Sequence, residues 1–299
     1  MLSILIPIFN YDVTKLVFTL HHQVKKLNID FEIICIDDCS SDEKYREINK
    51  KITTLSSVNY YLSSENNGRS KIRNMLSEQA SYEWLLFLDA DVIPVQDHFI
   101  ETYIENISLG IDLIVGGIYY ERTKPTTHHI LRWYYGNKRE VTSAATRNKE
   151  PFQHFASANF LIRKSVFTSV LFNEAIKSYG HEDTLFSFEM KNNNKNILHI
   201  DNPVYHLGLE TNELFLKKSL LSVESAFFLK KEDLITLNYI RVLDFHEKLK
   251  KIKGLDQLIY TIGKYGEPLL IKNLLGRNPS LNLLDFYKLY HLIKLERDA

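Results

Sequence analysis

Residues 84–95 read WLLFLDADVIPV: five apolar residues, Trp84 to Leu88, run into Asp89 and Asp91, which stand one residue apart. A charged side chain that leaves water costs several kcal/mol unless it is paired, hydrogen-bonded or bound to a cation. The stretch therefore reads as a buried strand whose end meets either solvent or something positive. Its apolar residues do not alternate with polar ones, so both faces are covered, as in a parallel sheet packed between helices.

The same pattern precedes it. Leu2–Ile8 and Phe31–Ile36 are continuous apolar strands, and Val58–Leu62 is a shorter one. Asp12 caps a helix whose positions Val13, Leu16, Val17, Leu20, Val24 and Leu27 follow the helical period. A polar helix spans about 42–55, and after the turn Glu65-Asn66-Asn67-Gly68 a further helix carries Ile72, Met75 and Leu76. Strands alternating with helices predict an α/β fold around a mainly parallel sheet. Ligands of such sheets sit at the carboxyl ends of the strands, where Asn10, Asp37, Asp38, Asp89 and Asp91 all fall.

Beyond this the pattern is mixed. Strands are expected at Ile111–Ile118, Phe155–Ile162 and Ile197–His206, with a long polar stretch from Thr123 to Pro151. Gly180-His181-Glu182-Asp183 precedes a helix that ends at an Asn-rich turn, Asn192–Asn196. From about Asn212 the chain reads as helical, with Leu283, Tyr287, Tyr290 and Ile293 on one face of the last helix. Gly266–Pro268 and Asn278-Pro279 are expected to break the earlier helices. The organisation predicted is one domain over 1–209 and a C-terminal helical extension over 210–299.

Composition narrows the function. The 299 residues are 44% hydrophobic, and 37 basic side chains balance 37 acidic ones, which gives no electrostatic case for nucleic acid. Cys35 and Cys39 lie too close together to staple a fold, which suits a reducing cytoplasm. The first ten residues lack a charged start, and no run approaches the roughly 18 apolar residues of a membrane span.

Four segments, SILIPIFN (3–10), IDDCSSD (36–42), NGRSKIRN (67–74) and LDADV (88–92), resemble in order the landmarks of the family 2 glycosyltransferases, which have the GT-A fold. Ser157-Ala158-Asn159, Glu182-Asp183 and Asn202-Pro203-Val204-Tyr205-His206 continue the likeness, which covers about 1–208. The resemblance implies a Rossmann-like sandwich with a mixed, mainly parallel sheet. It implies an inverting enzyme that moves a sugar from a nucleotide diphosphate donor, often UDP-linked, to a hydroxyl of a glycan or lipid-linked glycan. Carried over residue by residue, Asp89 and Asp91 would hold Mn²⁺ or Mg²⁺, with more weight on Asp91, and His206 would complete the shell. Pro7, Asn10, Asn67, Gly68, Arg73 and Asp89 would line the donor. Asp37 or Asp38 would accept hydrogen bonds from its base and ribose; a turn-forming pair ahead of a helix is the other reading. Cys39 stands where the family usually has glycine. Asp183 would be the general base, oriented by Glu182, although an acidic first turn also favours a helix dipole.

Two stretches stay open between chemistry and packing. Trp133, Tyr134 and Tyr135 are suited either to stacking on a sugar or to a core. The basic run Lys248–Lys253 is suited either to anionic lipid at the inner face of a membrane or to solvent, and the C-terminal helices to either a membrane or a second copy. His128 and His129, being adjacent, are assigned no metal. A phosphatase with an Asp-x-Asp nucleophile wants that pair on its first strand. A dinucleotide dehydrogenase wants Gly-x-Gly-x-x-Gly there, and a nucleotidyltransferase a glycine-rich basic loop. A binding module of the same fold without activity has no need of a base at 183.

Overall fold

The computed structural model describes residues 1–176 and 178–298. They form two compact units. The first comprises 1–121, 141–175 and 186–208; the second comprises 122–140, 176–185 and 209–299.

Ten strands lie in the first unit: β1 (Leu2–Ile8), β2 (Phe31–Asp37), β3 (Val58–Leu62), β4 (Trp84–Leu88), β5 (Val92–Pro94), β6 (Leu113–Val115), β7 (Ile118–Tyr119), β8 (Asn159–Arg163), β9 (Ile197–His199) and β10 (Val204–His206). Seven form a sheet in the order β3-β2-β1-β4-β8-β6-β9, and β5-β10-β7 form a small one. Within the large sheet β8 alone runs against its neighbours, β4 and β6. This is the mixed, mainly parallel sheet that the family resemblance implies.

The continuous apolar strands have a simple cause. Leu2, Ile4, Ile6 and Ile8 of β1, with Leu86 and Leu88 of β4, face one core, against Leu16, Val17 and Leu20 of the helix Thr14–Lys25. Leu5 of β1 and Leu85 and Phe87 of β4 face the other, against Ile72 and Leu76 of the helix Gly68–Gln79. Successive side chains point to opposite faces, so a strand covered on both sides is apolar throughout. The second core is aromatic: Phe87 stacks on Phe160 and Phe167 at 4.8 and 4.9 Å, and Phe172 on Phe186 at 4.3 Å. Pro7 is tolerated inside β1 because pairing to β4 ends at Leu5, and alternate residues of a parallel strand bond to opposite neighbours.

Three expected strands are shorter than their apolar runs. Ile111–Ile118 divides into β6 and β7 at Gly116 and Gly117; Gly117 has φ +93°, and a Cβ on Gly116 would overlap the Asn202 carbonyl. Ile197–His206 divides at Pro203, which donates no hydrogen bond. Phe155–Ile162 becomes β8 only from Asn159. The polar stretch 123–151 is not a long loop. It forms short helical turns at Thr127–His129, Ile130–Tyr135, Gly136–Glu140 and Ala144–Arg147. The last is anchored by its arginine: Arg147 Nε donates to His199 Nδ1 at 3.0 Å, and its Nη2 to the Ile200 carbonyl at 2.7 Å. His199 Nε2 in turn lies 2.9 Å from the Pro151 carbonyl, so the buried ring is neutral, with its proton on Nε2. Burial, reinforced by Arg147, brings its pKa down to about 4.

In the second unit the helices Asn212–Lys231, Arg241–Lys250, Leu255–Leu274 and Leu281–Asp298 enclose Leu131, Phe215, Leu216, Leu274, Leu284 and Tyr290. Tyr135 packs on Phe215 at 5.2 Å, which settles that ring as core; Trp133 and Tyr134 meet edge to face at 5.3 Å. Asn278-Pro279 separates the last two helices as expected, but Gly266–Pro268 breaks nothing: Pro268 lies inside Leu255–Leu274. That helix is held there by its buried face, Ile259, Gly263, Leu270 and Leu274, and a Cβ on Gly263 would overlap the Tyr290 ring.

Candidate active site

The loops that leave β1, β2 and β3 lock together through side chains. Asn10, at φ +49°, donates its N–H to Ser40 Oγ at 2.8 Å, and its Oδ1 accepts from the Asp42 N–H at 3.1 Å. Asp37 is fully buried, its Oδ1 accepting from the Ser40 N–H at 2.6 Å and its Oδ2 from the Tyr60 hydroxyl at 2.9 Å. Asp38, also buried, accepts from the Asn67 N–H at 2.7 Å and from the Gly68 N–H at 2.9 Å. Each buried carboxylate is compensated at both oxygens, which is the condition for burying it. Gly68 needs to be glycine because φ is +79° there. Cys39 adopts φ +60°, the left-handed conformation that glycine takes most cheaply, so the turn geometry survives the departure at this position with some backbone strain.

At the end of β4 the two aspartates of the opening stretch have separate partners. Asp89 Oδ1 accepts from Arg73 Nη2 at 2.7 Å. Arg73 is itself buried on the helix Gly68–Gln79, bonded to the Arg69 carbonyl at 3.1 Å and set over the Phe172 ring at 5.4 Å. Asp91 faces His206 instead, Oδ2 lying 3.5 Å from Nε2. The small sheet makes this meeting: His206 pairs with Val92 in antiparallel register, and the Leu207 N–H donates to the Asp91 carbonyl at 2.8 Å. A residue 115 positions away along the chain is thereby delivered beside Asp91. Burial, with Asp89 nearby, raises the Asp91 pKa, against His206 and Arg69, which favour its charge.

The pair suits a divalent cation. One carboxylate oxygen and one imidazole nitrogen are acceptable to Mn²⁺ or Mg²⁺, which fill their other positions with water and substrate phosphate. The 3.5 Å contact is too long for a good hydrogen bond, and His206 Nδ1 finds no hydrogen-bond partner among the described residues. His206 is fixed instead by stacking on Tyr120, ring centres 5.4 Å apart. Among the described residues a group of three ligand-type side chains is His246, Glu247 and Glu296 in the second unit. There the Lys230 and Lys250 ammonium groups already bridge both carboxylates, at 2.6–3.2 Å, so that cluster is an ion-pair network.

Glu182 and Asp183 open the helix Glu182–Asn192. Glu182 is buried, and Asp183 Oδ1 accepts from the Thr184 N–H at 2.7 Å. Asn159 is a structural node: Nδ2 donates to the Gly117 and Asn202 carbonyls, both at 3.0 Å, and Oδ1 accepts from the buried Tyr103 hydroxyl at 2.7 Å.

Some contributors were not foreseen from the sequence. Gly208 lies so close to Asp91 that a Cβ there would overlap Oδ2. Tyr60 holds Asp37, and Arg69 adds positive charge near Asp91. Glycine two residues after His206 was the one available signal; the others depend on strand and helix register.

The family model described as Glycosyl transferase family 2 matches residues 3–171, more than half of the chain. Over 91 residues the chain is 31% identical to the poly(ribitol-phosphate) beta-N-acetylglucosaminyltransferase TarS of Staphylococcus aureus strains Mu50 and MW2. That match covers 30% of this chain and 16% of those relatives. Among solved structures, S. aureus TarS 1-349 superposes with TM-score 0.53 at 19% identity, over 99% of this chain and 91% of that one. The mannosyltransferase PcManGT from Pyrobaculum calidifontis, in complex with GDP-Man and Mn²⁺, gives TM-score 0.57 at 8% identity, over 99% and 86%. At these identities the likeness to solved structures concerns the fold.

Proposed function

This chain belongs to glycosyl transferase family 2, and on that premise we propose that it transfers a sugar from a nucleotide diphosphate donor to a hydroxyl of a glycan or lipid-linked glycan. The observation that carries the reading is Asp91 Oδ2 set 3.5 Å from His206 Nε2, beside an Asp89 neutralised by Arg73. Asp91 and His206 would hold the metal. Once bound, Mn²⁺ or Mg²⁺ neutralises, as a Lewis acid, the charge that builds on the departing diphosphate. Asp89 is assigned to orienting the donor through Arg73 rather than to ligation.

The nucleoside is assigned to the rim of Asn10, Asp38, Asn67 and Gly68, where Asp38 holds the Asn67 and Gly68 N–H groups and Ser40 Oγ that of Asn10. Pro7 shapes the strand end beneath it. Asp37 keeps Ser40 and Tyr60 and acts through the turn they hold. Asp183 as general base, positioned by Glu182, rests on the family resemblance of that pair. The acceptor oxygen bonds to the anomeric carbon as the bond to the diphosphate oxygen breaks. The acceptor proton goes to Asp183 and the bonding electron pair to the diphosphate, so the anomeric configuration inverts. A UDP-sugar is the favoured donor, as UDP-GlcNAc is bound by TarS 1-349 in one of its structures, TM-score 0.51.

The test compares UDP- and GDP-sugars by thermal protection and slow donor hydrolysis, with and without Mn²⁺. Asp91→Asn is expected to lower Mn²⁺-stimulated turnover at least about a hundredfold while circular dichroism stays unchanged. Asp183→Asn should keep donor protection and lose transfer. Metal-stimulated turnover at the normal rate in Asp91→Asn overturns the metal assignment, and undiminished transfer in Asp183→Asn overturns the base.

A further inference from the structure

The helix Leu255–Leu274 has two apolar faces, and its own fold uses one. Ile259, Gly263, Leu270 and Leu274 point into the second unit's core. One residue earlier in register, Leu258, Ile262 and Leu269 project outward with Tyr265, exposed by 54%, 52%, 72% and 78%. A one-residue offset turns a side chain by about 100° around a helix, so the outer residues make a separate stripe with spacings of four, three and four. Isolated exposed apolar residues need no explanation, but four in one row on a single helix do.

Charge decides what covers the stripe. Between Lys251 and Lys272 four lysines are exposed, Lys251, Lys253, Lys264 and Lys272, and no carboxylate is. The two acids on the helix are half-buried and partnered within the unit: Glu267 accepts from the Tyr287 hydroxyl at 2.8 Å, and Asp256 lies 3.3 Å from His246 Nε2. A second copy of this helix would bring lysines against lysines. An anionic bilayer matches both features, taking the apolar row below its headgroups and the ammonium groups at headgroup level. Tyr265, the most exposed of the row, has the amphipathic ring that sits well at such a boundary. Such a helix would lie on the membrane rather than through it, since no helix among the described residues is long and apolar enough to cross.

We propose that the stripe Leu258, Ile262, Tyr265 and Leu269, with its flanking lysines, is a docking face for an anionic lipid surface. This inference does not depend on the assignment of the donor site. The test is co-sedimentation of the full chain with vesicles of phosphatidylcholine alone and of phosphatidylcholine mixed with phosphatidylglycerol. Binding is expected with the mixed vesicles only, weakening as salt rises. Lys264→Gln and Lys272→Gln should each lower the partition roughly fivefold, and Ile262→Ser combined with Leu269→Ser should abolish it. All four positions are exposed, so the variants should melt like the parent, and sedimentation velocity on the same samples reports self-association. No binding to mixed vesicles overturns the proposal. So does self-association that the Ile262→Ser, Leu269→Ser variant abolishes while vesicle binding is absent, which assigns the stripe to a second copy. Equal binding to neutral and anionic vesicles overturns the role of the lysines.

Discussion

Asp91 depends on Gly208 as a hydrogen at the right place. A methyl group on Gly208 would overlap Asp91 Oδ2, so Gly208→Ala is expected to push the carboxylate off its present position. A displacement of about 1 Å at a reacting centre costs on the order of a hundredfold in rate, and metal-stimulated donor turnover should fall by that much. Overpacking should also cost about 1–3 kcal/mol of stability, which Asp91→Ala in the same chain restores by removing the obstructed group. Thermal melts of the two single variants and the double one measure that coupling. At this scale the sequence was informative about identity and poor about partnership. The acids were placed at strand ends by their position after apolar runs. That Asp37 is bound by Tyr60, and Asp89 by Arg73, follows from which faces of neighbouring elements meet.

Strands β1 and β4 carry the limits expected from their apolar runs, because a strand covered on both faces leaves an uninterrupted signal; β3, a largely exposed edge strand, also keeps its expected limits. The three-residue strands β6, β9 and β10 lie within the longer runs Ile111–Ile118 and Ile197–His206, so their limits are set by their partners, and β5 leaves almost no signal of its own. The small sheet that brings His206 to Asp91 consists of such segments, so its pairing is not legible in the residues, and the sequence joins His206 to Asp91 only through the family resemblance and the ligand chemistry of imidazole. Pro268 is the opposite failure. A proline inside a helix removes one hydrogen bond and costs about 3 kcal/mol, but Ile259, Gly263, Leu270 and Leu274 keep the helix continuous through it. The ring is exposed and adds little packing. Pro268→Ala should therefore raise stability by about 1–3 kcal/mol, read from the midpoint of urea unfolding. An unchanged midpoint would mean that the helix has already absorbed the cost by bending.

Over the whole molecule, acid should act early. His199 is held neutral to about pH 4, whereas in the unfolded chain it takes up a proton at its ordinary value of 6.5. Below 6.5 the unfolded state gains a proton that the folded state refuses, so stability falls as pH drops through the window from 6.5 to about 4, and this contribution levels off beneath it. The loss should be on the order of 1–3 kcal/mol. His199→Gln, which can still accept from Arg147 and donate to the Pro151 carbonyl, should flatten that slope in melts taken across the window. The second unit has a consequence of another kind, set by the order in which the chain is made. Leu131 ends up fully buried among Phe215, Leu216, Leu284 and Tyr290, every one of them translated later. At typical elongation rates its last neighbours leave the ribosome about ten to thirty seconds after it does. Through that interval the segment around Leu131 and Tyr135 waits with its apolar side uncovered by its later neighbours.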